Sequence, residues 1–285
     1  MRSNRRPTAD CRLPIAVRRI LLPAASCLLP VALVAQDPLL AERADFARWL
    51  ETSPVSPYAA IYHQPLTDDL AFGPGAAPPL DALPPGTLQQ GLFGLRLNTE
   101  DGRRTVPRNR DVRLGAWHVR VSGERGRSSV TVFGPPGSVS PPGWYPPNPM
   151  LVGEGVLQPP DQSETRRMLG LDGVEVEATH AGTLVATVAG LAVRLTVFRM
   201  PDPASEESEL TIFFRDETND AGTYPAGRFL PLQPLGGDRY RADFNRARNP
   251  FCAYNTVFPC PRPWRGNEIP APIEAGERYD GGESP

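Results

Sequence analysis

The sequence predicts an all-β fold: an antiparallel sandwich or barrel-like body, with room for two β subdomains and one short helix near the N-terminus. Short runs that alternate apolar and polar residues recur along most of the chain, and Gly, Pro, Asp and Asn punctuate them. The 35 Pro and 26 Gly among 285 residues stay below the roughly 25–30% that marks a low-complexity chain, yet they demand many turns. An apolar content of 40% is enough to bury a core, and the length suits one large domain or two modest ones.

The first 35 residues read as a secretory signal. Arg2, Arg5, Arg6, Arg12, Arg18 and Arg19 precede the apolar run Ile20–Ala35, which is shorter than the roughly 20 residues a spanning helix needs and contains Pro23 and Pro30. Cleavage is expected after Ala35, so the protein is expected to be exported, with no permanent membrane span. Arg18-Arg19 also fits a twin-Arg signal, and Cys27 after Ala-Ala-Ser marks a disfavoured lipidation site. From Pro38 to Glu51, Leu39, Leu40, Phe46, Ala47, Trp49 and Leu50 fall on a helical stripe.

Strands are then expected at Gly91–Leu97, Val112–Ser122 and Ser129–Phe133, with a bulge at Gly115 where the alternation shifts. The Pro-rich stretch Gly134–Pro149 is expected to be extended and to separate two β regions, with Trp144 and Tyr145 pinning it to the core. A second series follows at Val174–Ala178, Thr183–Val188, Leu191–Arg199 and Leu210–Asp216, with a hairpin at Ala189-Gly190. The last of these is apolar on both faces and is expected in the interior of a sheet.

Composition removes several function classes. A net charge of −2 supplies no global field for nucleic acid. No Lys occurs anywhere in the chain, so a Schiff-base lysine and a standard phosphate-binding loop are excluded. His63, His118 and His180 are scattered, without metal-ligand spacing, and neither a nucleophile elbow nor a dinucleotide fingerprint is present. The sequence does not name a cofactor. Loss of the signal would leave Cys252 and Cys260, and two cysteines in an exported chain suggest one disulfide; a metal or reactive thiol site is the rival reading.

Polar residues concentrate after the Leu210–Asp216 strand. Asp216, Thr223, Tyr224 and Arg228 fall in one cluster, and Asp243, Asn245 and Asn249 in a second. Such groups supply acceptors, an arginine clamp and orienting amides for a small polar ligand. The same types also build turns and ion pairs, and an Arg228–Asp243 pair would tie two strands together.

The runs DETNDAGTYPAGRFL, DFNRARNPFCAYN and CPRPWRGNEIPAPIEAGE, with GWYPPNP upstream, resemble the C-terminal signature of a bacterial domain-of-unknown-function family numbered 1684. The resemblance is dense from Trp144 to Glu277 and faint from about Leu66 to Pro142. Arg248 stands where that signature has Tyr, the turn Thr218–Gly222 replaces Thr-Ser-Gly, and Asn267-Glu268 reverses the usual order. The resemblance implies an all-β fold and a shared polar region at Asp216, Thr223, Tyr224, Arg228, Asp243, Asn245, Asn249 and Glu277.

The resulting organisation is a signal at 1–35, a helix and divergent β region at 36–143, a family-like β domain at 144–279 and a tail at 280–285. The expected function is binding of a small polar or saccharide-like ligand, or of a cell-envelope partner. The alternatives are a carboxylate- or metal-dependent hydrolase using Asp216, Asp243 or Glu277, and a purely structural envelope protein.

Overall fold

The computed structural model describes residues 37–91, 94–135, 137, 139–201, 207–262 and 264–281; the signal expected over 1–35, with Cys11 and Cys27, lies outside them. Helix α1 spans Pro38–Thr52 and starts as its residues dictate: Asp37 accepts the Leu39 N–H at 3.0 Å, and Pro38 occupies the first turn. Its buried stripe is narrower than the pattern suggested. Leu39, Arg43 and Leu50 are buried, Leu40 is half exposed, and Phe46 and Trp49 stay partly open. Arg43 docks the helix, donating to the Tyr145 and Asn245 carbonyls at 2.8 Å each while its guanidinium lies 4.6 Å from the Trp144 ring centroid.

Eight strands follow: β1 (Ala60–Pro65), β2 (Leu70–Phe72), β3 (Gly86–Gly91), β4 (Gly94–Thr99), β5 (Gly102–Val106), β6 (Asp111–Leu114), β7 (Trp117–Glu124) and β8 (Arg127–Phe133). They form two four-stranded antiparallel sheets, ordered β1-β8-β7-β6 and β2-β3-β4-β5. Period-two alternation sends Leu88, Leu97, Val119, Val121, Val130 and Val132 into one shared core. Two expectations need correction here. The run Gly91–Leu97 is not one strand, because Gly91 closes β3 and Gly94 opens β4, with Leu92 and Phe93 outside the described residues. Val112–Ser122 is a hairpin rather than a bulged strand: Gly115 has φ 63° in the turn joining β6 to β7, so the alternation shifts where the chain reverses.

The Pro-rich stretch carries no helix or strand among its described residues up to Asn148. Beyond it lie β9 (Val152–Gln158), β10 (Thr165–Leu169), β11 (Glu175–Val188), β12 (Leu191–Pro201), β13 (Ser208–Asp216), β14 (Arg228–Pro231), β15 (Gln233–Gly236), β16 (Arg239–Asp243) and β17 (Glu268–Ile269). The main path of this nine-stranded sheet runs β14-β13-β12-β11-β9-β16-β15, with β10 on β11 and β17 parallel to the end of β13. The expected strands Val174–Ala178 and Thr183–Val188 are largely one strand, β11, which begins at Glu175. Its register shifts between His180 and Gly182, and Gly182 has φ 136°. The hairpin at Ala189-Gly190 is present. β13 sits between β12 and β14, and Leu210 to Phe214 are buried without a break. A second core gathers Leu184, Leu195, Ile212, Phe214, Leu230 and Phe244. Among the described residues no helix is long and apolar enough to cross a membrane.

Candidate functional site

The polar residues singled out by sequence form a clasp. Arg228 begins β14, is wholly buried and pairs with Asp216 at 2.8 Å. It also donates to the carbonyls of Ile273 at 2.9 Å and of Ala275. The other Asp216 oxygen accepts the backbone N–H groups of Thr218 and Ile273 at 2.9 and 3.1 Å. Burial pushes the Arg228 guanidinium below its ordinary pKa, and Asp216 opposes that shift. The expected Arg228–Asp243 pair is therefore not formed: Asp216 ends the strand beside β14, whereas Asp243 lies across the sheet at the end of β16.

Asp243 caps the turn Phe244–Arg246, accepting from the Asn245 N–H at 3.1 Å and pairing with Arg246 Nε at 3.2 Å. Asn245 is locked to Asn148, accepting its N–H at 2.8 Å and donating to its carbonyl at 3.0 Å. Thr223 shares a 2.8 Å hydroxyl contact with Thr218. The segment Ile273–Tyr279 runs over these groups as a strap. It is hydrogen-bonded to Ala247 through Glu277, to Gly143 through Arg278 and to Gly222 through Tyr279, each at 2.9 Å. Gly276 has φ 76°, and a Cβ there would stand 2.6 Å from the Ala247 carbonyl, so only glycine lets the strap lie this close.

Glu277 lies fully buried beneath the strap. One carboxylate oxygen accepts from the Asn249 N–H and the Tyr254 hydroxyl, both at 2.6 Å. Its other oxygen and the Asn249 side-chain oxygen are enclosed with no hydrogen-bond partner among the described residues. Burial raises the Glu277 pKa to about 7 against those two stabilising bonds. The hydrolytic alternative called for paired carboxylates across a water-filled gap. Asp216 and Glu277 are instead buried, Asp243 is held in a turn, and none of the three lines the cleft described below.

Cys252 and Cys260 are free thiols, Cys252 buried and Cys260 exposed. The expected disulfide is absent here. The Tyr224 hydroxyl sits beside both sulfurs, 3.3 Å from that of Cys252 and 3.2 Å from that of Cys260. Burial raises the pKa of the Cys252 thiol and of the Tyr224 phenol, so both are held neutral. Among the described residues no three His, Cys, Asp or Glu side chains gather as a metal-ligand set.

An open cleft of about 660 Å³ lies elsewhere, between α1, the β7–β8 hairpin and the outer face of β12, β13 and β14. Helix α1 contributes Phe46 and Trp49, whose rings stack at 5.7 Å, and Trp49 meets Phe251 at 6.3 Å. Phe133 and Thr131 come from β8 and Phe229 from β14. Two arginines join them. The Arg248 guanidinium lies 5.0 Å from the Phe46 ring centroid, and that of Arg120 lies 5.8 Å from Phe133. Reciprocal backbone bonds of 2.8 and 2.9 Å hold Arg248 to Phe229, so the clasp and the cleft wall share one stretch of chain.

None of the eight proposed site residues lines this cleft. The sequence signals for it were the partly open Phe46 and Trp49 at helical spacing three, an arginine in the alternating run of β7, and Arg248 at a family Tyr position.

Residues 143–278, which contain the clasp, the strap and the nine-stranded sheet, match the family model described as "Protein of unknown function (DUF1684)". Over that segment the chain is similar to this family. An uncharacterized protein of Haloarcula marismortui, solved by solution NMR, is similar at 32% identity, covering 49% of this chain and 77% of its own, with a TM-score of 0.42. No curated protein matches the chain. Within the DUF1684 segment lie Phe229, Arg248 and Phe251 of the cleft, whereas Phe46, Trp49, Arg120 and Phe133 precede it.

Proposed function

We propose that this protein is an exported binding module whose cleft takes a small ligand with an apolar face and polar edges, the class to which saccharides belong. The observation that carries this reading is the aromatic cleft of about 660 Å³, a volume within the roughly 300–1,000 Å³ of small-molecule sites. Aromatic rings accept the apolar face of such a ligand, and the side chains at the rim meet its polar groups. The clasp serves as the rigid backing of one wall, because Arg248 follows directly from its braced turn and precedes Asn249.

Export rests on the Arg-rich start and the run Ile20–Ala35. Expression in a bacterial host followed by N-terminal sequencing should give a chain that begins at Gln36 in the exported fraction. A full-length chain confined to the cytoplasm would remove that part of the reading.

For the cleft, the full chain is labelled with 15N and screened by NMR against monosaccharides, disaccharides and small aromatic compounds. Shifts should concentrate on Phe46, Trp49, Thr131, Phe229 and Arg248. Shifts scattered over the surface, or none at millimolar concentration, would refute it.

A further inference from the structure

We infer that the polar group this cleft is built to receive is an anion, and that its ligand is a small apolar or aromatic carboxylate; the inference rests on the cleft being a binding site. Partner accounting carries it. Most acidic side chains around the cleft are already engaged: Asp45 with Arg48 at 2.9 Å, Glu124 and Glu177 with Arg127 at 3.1 and 2.5 Å, and Asp172 with the Val174 N–H at 3.1 Å. Glu209 is engaged as well, and Glu175 is exposed. The cations are not matched in the same way. The Arg248 side chain has neither a hydrogen-bond nor an ion-pair partner among the described residues; its guanidinium rests on the Phe46 ring, and the buried Glu277 carboxylate acts on it only through space. Arg120 reaches Asp111 only at 3.5 Å, and the other oxygen of that carboxylate is taken by His118 at 2.7 Å. The Arg120 Nε is enclosed without a hydrogen-bond partner among the described residues.

Apart from the exposed Glu175, the unmet capacity in the cleft is donor capacity carrying positive charge. Guanidinium groups present a planar fork that fits a carboxylate, and an enclosed donor gains most when an acceptor arrives. Phe46, Trp49, Phe133, Phe229 and Phe251 supply the surface for the rest of the molecule. A simple aromatic acid fits this chemistry; a neutral sugar would leave the arginines unmatched.

The test compares 2-naphthoate with 2-naphthamide, which share one apolar body and differ in charge, by titration calorimetry on the full chain. Naphthoate is expected to bind at least about 10-fold more tightly, and added NaCl should narrow the gap. Arg248→Gln should weaken naphthoate about 10-fold and naphthamide far less; Arg120→Gln should act in the same direction. Equal binding of the two compounds by the unaltered chain would overturn the inference while leaving the cleft a binding site. Binding of neither, with no NMR shifts at the cleft from any compound in the screen, would overturn both.

Discussion

Glu277 is an acid kept inside the fold by two hydrogen bonds and penalised by burial, so its effect on stability has a definite sign. Its pKa rises from 4.5 to about 7, and the folded state therefore binds the proton more tightly than the unfolded chain does. The stability it contributes is fully present below about pH 4.5 and is lost as pH rises through about 7. The total loss is on the order of 3 kcal/mol. His63, buried against Phe258 and bonded to Thr131, acts oppositely: burial lowers its pKa from 6.5, so its contribution is lost as pH falls below that value. Thermal denaturation of Glu277→Gln should show a flatter decline from pH 5 to 8 than the unaltered chain, and a decline of equal steepness would exclude Glu277 as its source. At the clasp, Arg228→Ala strands a buried Asp216 carboxylate and should cost roughly 3–5 kcal/mol in urea denaturation. A loss under 1 kcal/mol would mean the clasp is not fully closed in solution. Cys260 is exposed and Cys252 buried, so iodoacetamide should label Cys260 on the native chain and Cys252 only after unfolding, as peptide mass spectrometry would show. Rapid native labelling of Cys252 would contradict its burial.

At the scale of elements, α1 is held by Arg43 as well as by its apolar stripe. Arg43→Ala removes two hydrogen bonds to carbonyls and the contact with Trp144, and should speed amide exchange across Pro38–Thr52 while the β strands remain protected. Equal protection in the variant would show that Leu39 and Leu50 suffice. Much of this level was legible in the residues: the helix, the hairpin at Ala189-Gly190 and the burial of Leu210–Phe214 follow from spacing, turn chemistry and apolar runs. What was not legible has physical causes. A two-residue turn such as Gly115-Ala116 barely interrupts an alternating pattern, so a hairpin resembles a bulged strand. The short pairings of β14, β15 and β17 depend on partners distant in sequence. Clasp residues were recognised as a group, but their role was not: carboxylates, amides and arginine look alike in sequence whether they face a ligand or the strap. The cleft draws its walls from α1, β8, β14 and the loop at Phe251, which only the fold brings together.

Across the whole molecule, the two principal cores are distinct clusters, one around Val119, Val121 and Val132 and the other around Leu184, Leu195 and Ile212. Val121→Ala and Leu195→Ala should each destabilise, by roughly 1–3 and 2–5 kcal/mol. Their combined effect should equal the sum of the two within about 0.5 kcal/mol. A larger discrepancy in a double-mutant cycle would mean that the cores communicate. The cleft lies between elements contributed by both β regions, so its shape depends on how α1 and the β7–β8 hairpin meet the larger sheet.

The strap has a topological consequence. Arg278 donates to the carbonyl of Gly143 and Tyr145 donates to that of Gly276, at 2.9 and 3.0 Å, so the DUF1684 segment ends beside the point where it begins. A unit whose two ends meet can be set into a loop of a host protein without separating the residues on either side, or reopened elsewhere on its surface after the natural ends are joined. In this protein the residues that precede the segment supply the opposite wall of the cleft.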